Sequence, residues 1–118
     1  MLFRSYYQAF VWSQRGVELG DQAQKNLMAL GLDRYLLHSG RKQLFASQAH
    51  QDTDGKCYCL QPVESTFPDA KRKEYTDRTL ADSLRWVAGL NAGKDCGPPS
   101  ECAVEMKATP AGSVPGFW

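Results

Sequence analysis

Lys56-Cys57-Tyr58-Cys59-Leu60-Gln61-Pro62-Val63 is the stretch whose reading decides the fold. Its alternation predicts a short strand, with Cys57 and Cys59 on one side and Tyr58 and Leu60 on the other. Pro62, and Pro68 beyond it, withhold main-chain N–H groups, which limits such a strand to a sheet edge or an extended loop. Two more cysteines follow at 96 and 102, flanking Gly97-Pro98-Pro99-Ser100-Glu101.

Three states of these four cysteines compete. As disulfides, Cys96 and Cys102 can meet across their own Gly-Pro-Pro turn. Cys57 and Cys59 make a poor local pair, because an extended backbone holds them outside the roughly 4.4–6.8 Å Cα separation that a disulfide requires. Cross-pairing of the two motifs staples the tail to the middle of the chain. As a zinc site, Cys57, Cys59, Cys96 and Cys102 could supply four thiolates, although neither gap matches the roughly two to four residues common in such sites. As free thiols they are small hydrophobes. Disulfides are the leading expectation, and they imply an oxidising compartment.

Working outward, the clearest helix spans about 77–91. Thr76 or Thr79 caps it, Leu80, Leu84 and Val87 repeat at helical spacing, and Gly93 ends it. Upstream, Asp21-Gln22-Ala23-Gln24 resembles a capping box that opens a helix ending at Gly31, and Asp33 offers a second cap for a short helix ending at Gly40. Residues 41–49 read as a further helical stretch with Leu44 and Phe45 as its apolar contacts. In residues 1–19, Phe3, Tyr7, Phe10 and Val11 share one helical face beside Tyr6 and Trp12. The expectation is therefore a mainly α fold of several short helices with an irregular, loop-rich, cysteine-containing C-terminal third. It forms a single domain over 1–118: helical to 49, loop and short strand over 50–75, helix over 76–92, and a Pro/Gly-rich tail over 93–118.

Charge and composition exclude several classes. The 118 residues carry a net charge of +1 and are 42% hydrophobic and 23% charged. This is neither the basic balance of a nucleic-acid binder nor an acidic disordered chain. No apolar run approaches the roughly 20 residues of a membrane span. His50 to Gln61 has Asp52, Asp54 and Gly55 in calcium-loop order, but His50 and Gln61 stand where the anchoring carboxylates belong. His38 and His50 are the histidine bases on offer, and no phosphate-loop, dinucleotide or nucleophile-elbow motif accompanies them. Lys71-Arg72-Lys73 is diluted by Asp69, Glu74 and Asp77 and reads as a solvated loop. Phe67-Pro68-Asp69 and the ending Gly112-Ser113-Val114-Pro115-Gly116 resemble short words of the small cysteine-rich subunit of cytochrome c oxidase. That family's defining twin cysteine pairs are absent, and no family is assigned on this likeness.

The functional expectation is a non-catalytic accessory subunit of a large assembly, with other protein subunits as partners. No cofactor, nucleic acid or small-molecule substrate is expected. Partner-contact candidates are Phe3, Tyr7, Phe10, Trp12, Phe117 and Trp118, because aromatics crowd both ends of the chain. The acid-poor, aromatic start resembles a mitochondrial targeting segment. It points to a peripheral place at the inner membrane, in a respiratory complex or ATP synthase. A virion component and a small zinc module are the alternatives.

Overall fold

A computed structural model describes residues 24–118. The element order is helix α1 (Gln24–His38), strands β1 (Ala49–Gln51) and β2 (Tyr58–Leu60), helix α2 (Asp69–Thr76) and helix α3 (Leu80–Leu90). The expected mainly α architecture is corrected. Helix makes up 36% of the described residues, and a two-stranded antiparallel sheet with two disulfides makes this a small mixed domain. The helix expected within residues 1–19, with Phe3, Tyr7, Phe10 and Trp12, and the cap expected at Asp21 for the next helix lie outside the described residues.

Each departure has a local cause. Gly31 does not end a helix, because α1 runs straight through it and buries it together with Met28, Ala29, Leu32, Asp33 and Leu36. Asp33 does not cap a second helix. Its carboxylate accepts from the main-chain N–H of Leu44 at 2.9 Å, Phe45 at 3.0 Å and Ser47 at 3.0 Å, and from the Ser47 hydroxyl at 2.6 Å. These bonds hold 44–47 in a tight wrap in which Ala46 takes the left-handed φ of 59°. That conformation, and the side-chain acceptor, replace the helix expected over 41–49. Burial nevertheless outweighs the four donors and pushes the Asp33 carboxyl above its ordinary value of 3.8.

The Lys71-Arg72-Lys73 run is corrected in the same way. It is helix α2 rather than solvated loop, and only Arg72 of that helix is buried. Its guanidinium donates to the carbonyls of Leu44 and Glu64, both at 2.7 Å, and to Asp69 at 2.9 Å. One arginine thus ties α2 to two other segments, and each group it desolvates is paired. In contrast, α3 follows the expected pattern. Thr79 and Asp82 exchange side-chain and main-chain bonds in a capping box, and left-handed Gly93 (φ 80°) follows the helix.

Two apolar clusters result. Met28, Leu32 and Leu36 of α1 meet Leu44, Phe45, Phe67 and Val114, with Tyr75, Phe117 and Trp118 packed on them. Val87 of α3 meets Ala46, Leu60 and Val63, flanked by Tyr58, Leu84 and Trp86. Among the described residues no helix is long and apolar enough to cross a membrane.

Glu64 joins the tail to this frame. It accepts from the Thr109 N–H at 2.6 Å and the Thr66 hydroxyl at 2.7 Å. Burial alone would raise its carboxyl, but these bonds and nearby Lys42 hold it below the ordinary 4.5. A carboxylate depressed on folding contributes stability that is complete above its unfolded pKa and is lost as pH falls through the folded value. The stability difference between wild type and Glu64→Gln is therefore expected to be largest near neutral pH and to shrink below about 4. Urea unfolding of both proteins at pH 7 and pH 3 checks it.

Candidate functional site

The site is the β1–β2 hairpin with the tail bonded across it. A turn over 52–57 closes the hairpin. Asp52 Oδ1 accepts from the N–H of Lys56 at 3.3 Å and of Cys57 at 3.4 Å, and Asp54 Oδ1 accepts from Lys56 at 3.0 Å. Gly55 supplies the left-handed φ of 70° that the turn demands. The side-chain hydrogen bond with Asp54 leads the causes that hold the Asp52 carboxyl below its ordinary value.

The register pairs Ala49 with Leu60, His50 with Cys59 and Gln51 with Tyr58. On its other side β2 is fully occupied. Tyr58 donates its N–H to Asn91 Oδ1 at 2.7 Å and accepts from Asn91 Nδ2 at 2.9 Å, so one buried amide side chain stands in for a neighbouring strand. Leu60 donates to the Ser100 carbonyl at 2.9 Å and accepts from the Cys102 N–H at 2.7 Å. Glu101 Oε1 accepts from the Val63 N–H at 3.0 Å.

The cysteines bond across the two motifs. Cys57 pairs with Cys96 over a Cα separation of 5.7 Å, and Cys59 pairs with Cys102 over 5.0 Å. The local turn pair Cys96–Cys102 does not form, because the 96–102 segment lies along β2 and presents each cysteine to a different partner. No cysteine is free. The four sulfurs are thus consumed in disulfides, which leaves no thiolate for the zinc alternative. Among the described residues no cluster of three or more potential metal-ligating His, Cys, Asp or Glu side chains exists.

Phe117 and Trp118 turn inward. Trp118 stacks edge-on to Phe67 with centroids 5.0 Å apart, and its indole N–H donates to the Thr109 carbonyl at 2.7 Å. Phe117 meets Tyr75 edge-on at 5.5 Å, and Lys71 donates to the Phe117 carbonyl at 2.9 Å from above its ring. The tail is therefore ordered by its own chain.

Two depressions flank the hairpin. One, of about 240 Å³, is lined by both histidines, His38 and His50, together with Arg34, Leu37, Gln48 and Met106. The other, of about 570 Å³, lies between the hairpin and the tail and is lined by His50 to Thr53, by Cys59 and Gln61, and by Cys102 to Val104 with Met106. Val104 is 48% exposed there, one of two large hydrophobic side chains so open among the described residues. Sequence reasoning missed this groove, because residues 49–51 read as the end of a helix and the start of a loop. The alternation of the partner strand was the one available signal. Comparison with family models, curated proteins and solved structures gives no match.

Proposed function

We propose that this chain is a non-catalytic subunit that docks onto other protein chains of a larger assembly in an oxidising compartment. The observation that carries the reading is the stapled hairpin: two disulfides and a folded-back tail fix a short sheet whose β1 side, with its apolar groove, is left for a partner. The use of the buried polar groups supports it. Asp33, Gln43, Glu64, Arg72 and Thr109 all bond the main chain of distant segments and serve the scaffold. Such disulfides persist outside reducing cytosol. With the acid-poor, aromatic residues 1–19, they favour the intermembrane face of the mitochondrial inner membrane as the place.

Native fractionation of the source material with mass spectrometry tests this reading. The chain is expected to migrate in a particle far above its 13.2 kDa, together with respiratory or ATP-synthase subunits. Co-migration with virion proteins would keep the subunit reading and overturn the location. Migration as a lone monomer would overturn both.

A further inference from the structure

The phase of the ladder decides which main-chain groups face outward. Asp52 donates its N–H to the Cys57 carbonyl at 2.8 Å, and Gln61 donates to the Gln48 carbonyl at 3.1 Å. Antiparallel alternation then turns the groups of Gln48, His50 and Asp52 toward β2, and those of Ala49 and Gln51 away from it. The outward edge of β2 is closed by Asn91, Ser100 and Cys102. Among the described residues no hydrogen bond reaches the outward N–H and C=O groups of Ala49 and Gln51. Ala49-His50-Gln51 is short, but it holds no proline, lysine or acid to guard that edge.

These unpaired groups specify the occupant, because alternating outward N–H and C=O groups at strand spacing are met by another extended backbone. The groove that opens from β1 across the hairpin adds side-chain recognition. Its apolar lining comes from the Cys59–Cys102 bridge, Ala103, Val104 and Met106, and Asp52 sets a negative charge at the turn end.

We propose that β1 and its groove accept an extended segment of a partner protein, added as a third strand, with apolar side chains at alternate positions and a lysine or arginine near Asp52. This rests on the subunit reading and names the surface that the reading requires.

The test uses the intact, oxidised full chain as bait for a phage-displayed library of random linear peptides. Enriched peptides are expected to alternate apolar residues and to carry a basic one. Their affinity is expected to fall about tenfold or more with Gln51→Pro, which removes an outward N–H and leaves the inward ladder bonds in place. Val104→Asp changes the groove alone and is expected to weaken the same peptides, so the test stands even if the proline variant fails to fold. No enrichment, or enriched peptides that bind both folded variants as tightly as wild type, would overturn the proposal. Sedimentation of the wild type as a dimer that Gln51→Pro splits would also overturn it, in favour of a second copy. Failure of peptide binding with co-migration in a large particle sinks this surface and spares the subunit reading, and the converse pair of results does the reverse.

Discussion

Replacing all four cysteines by alanine is expected to remove about 6 kcal/mol of stability, whereas removing either disulfide alone costs only about 2 kcal/mol. The reason is the interleaving of the two bonds. Cys57–Cys96 and Cys59–Cys102 span sequence separations of 39 and 43 residues. The first bond to form denies the unfolded chain a long loop, worth about 4 kcal/mol. With that bond in place, the second closes only the two short arms, 57–59 and 96–102, and adds less. Either bond therefore retains most of the constraint. A domain of this size holds about 5–15 kcal/mol in total, so the four-alanine chain, or the wild type in excess reductant, stands at the margin of folding. Urea unfolding of the two paired variants and the four-alanine variant measures all three values. Equal costs that simply add would contradict the interleaved arrangement.

Asp33→Ala is the second large effect, expected at about 3–6 kcal/mol. It strips the acceptor from three main-chain N–H groups and the Ser47 hydroxyl, two of those N–H groups fully buried at Leu44 and Phe45. The left-handed turn at Ala46 then loses what holds it, and both apolar clusters loosen, since Leu44 and Phe45 belong to one and Ala46 to the other. Asp33→Asn keeps one accepting oxygen and is expected to cost less, about 1–3 kcal/mol. Its pH dependence has the opposite sign to that of Glu64→Gln. Asp33 is raised on folding, so the folded state holds its proton more tightly than the unfolded chain. Its titration favours folding most below the ordinary value of 3.8 and loses that contribution as pH rises through the folded value. The gap between wild type and Asp33→Asn is therefore expected to widen on acidification, where the gap for Glu64→Gln narrows. Thermal or urea unfolding from pH 7 to pH 3 separates the two.

The parts of this fold that were legible in the sequence are those whose cause is local. Helix α3 carries its own cap in Thr79 and Asp82 and its own apolar face, and it forms where that pattern predicts. The alternation of Tyr58 to Leu60 likewise gives a strand. What misled was tertiary. Gly31 and Asp33 look like helix punctuation, yet Gly31 is buried inside α1 and Asp33 spends its carboxylate on residues eleven to fourteen positions away. Helix α2 hides because its one buried residue is an arginine, a type that hydrophobic periodicity treats as solvent-facing. Pro68-Asp69 at its start was the signal for it. Strand β1 exists only because β2 pairs with it, so nothing in Ala49-His50-Gln51 announces it. The cysteine pairing was open in the sequence for the same reason. Which cysteines meet depends on how 91–102 lies against β2, and that is set by Asn91 and Glu101, whose bonds span 33 and 38 residues, and by Ser100, whose carbonyl accepts from the main chain of Leu60.

The same dependence makes the disulfide pairing the point on which this account rests. If the tail is not bonded across β2, there is no fixed hairpin, no groove beside β1 and no surface for a partner strand. Tyr58 separates Cys57 from Cys59, and Glu101 lies between Cys96 and Cys102, so chymotrypsin with a glutamate-specific protease can part all four cysteines without reduction. Mass spectrometry of that digest is expected to show Cys57 joined to Cys96 and Cys59 joined to Cys102. Local pairs, Cys57–Cys59 with Cys96–Cys102, or the exchanged cross-pairs, or four unbonded thiols, would contradict it.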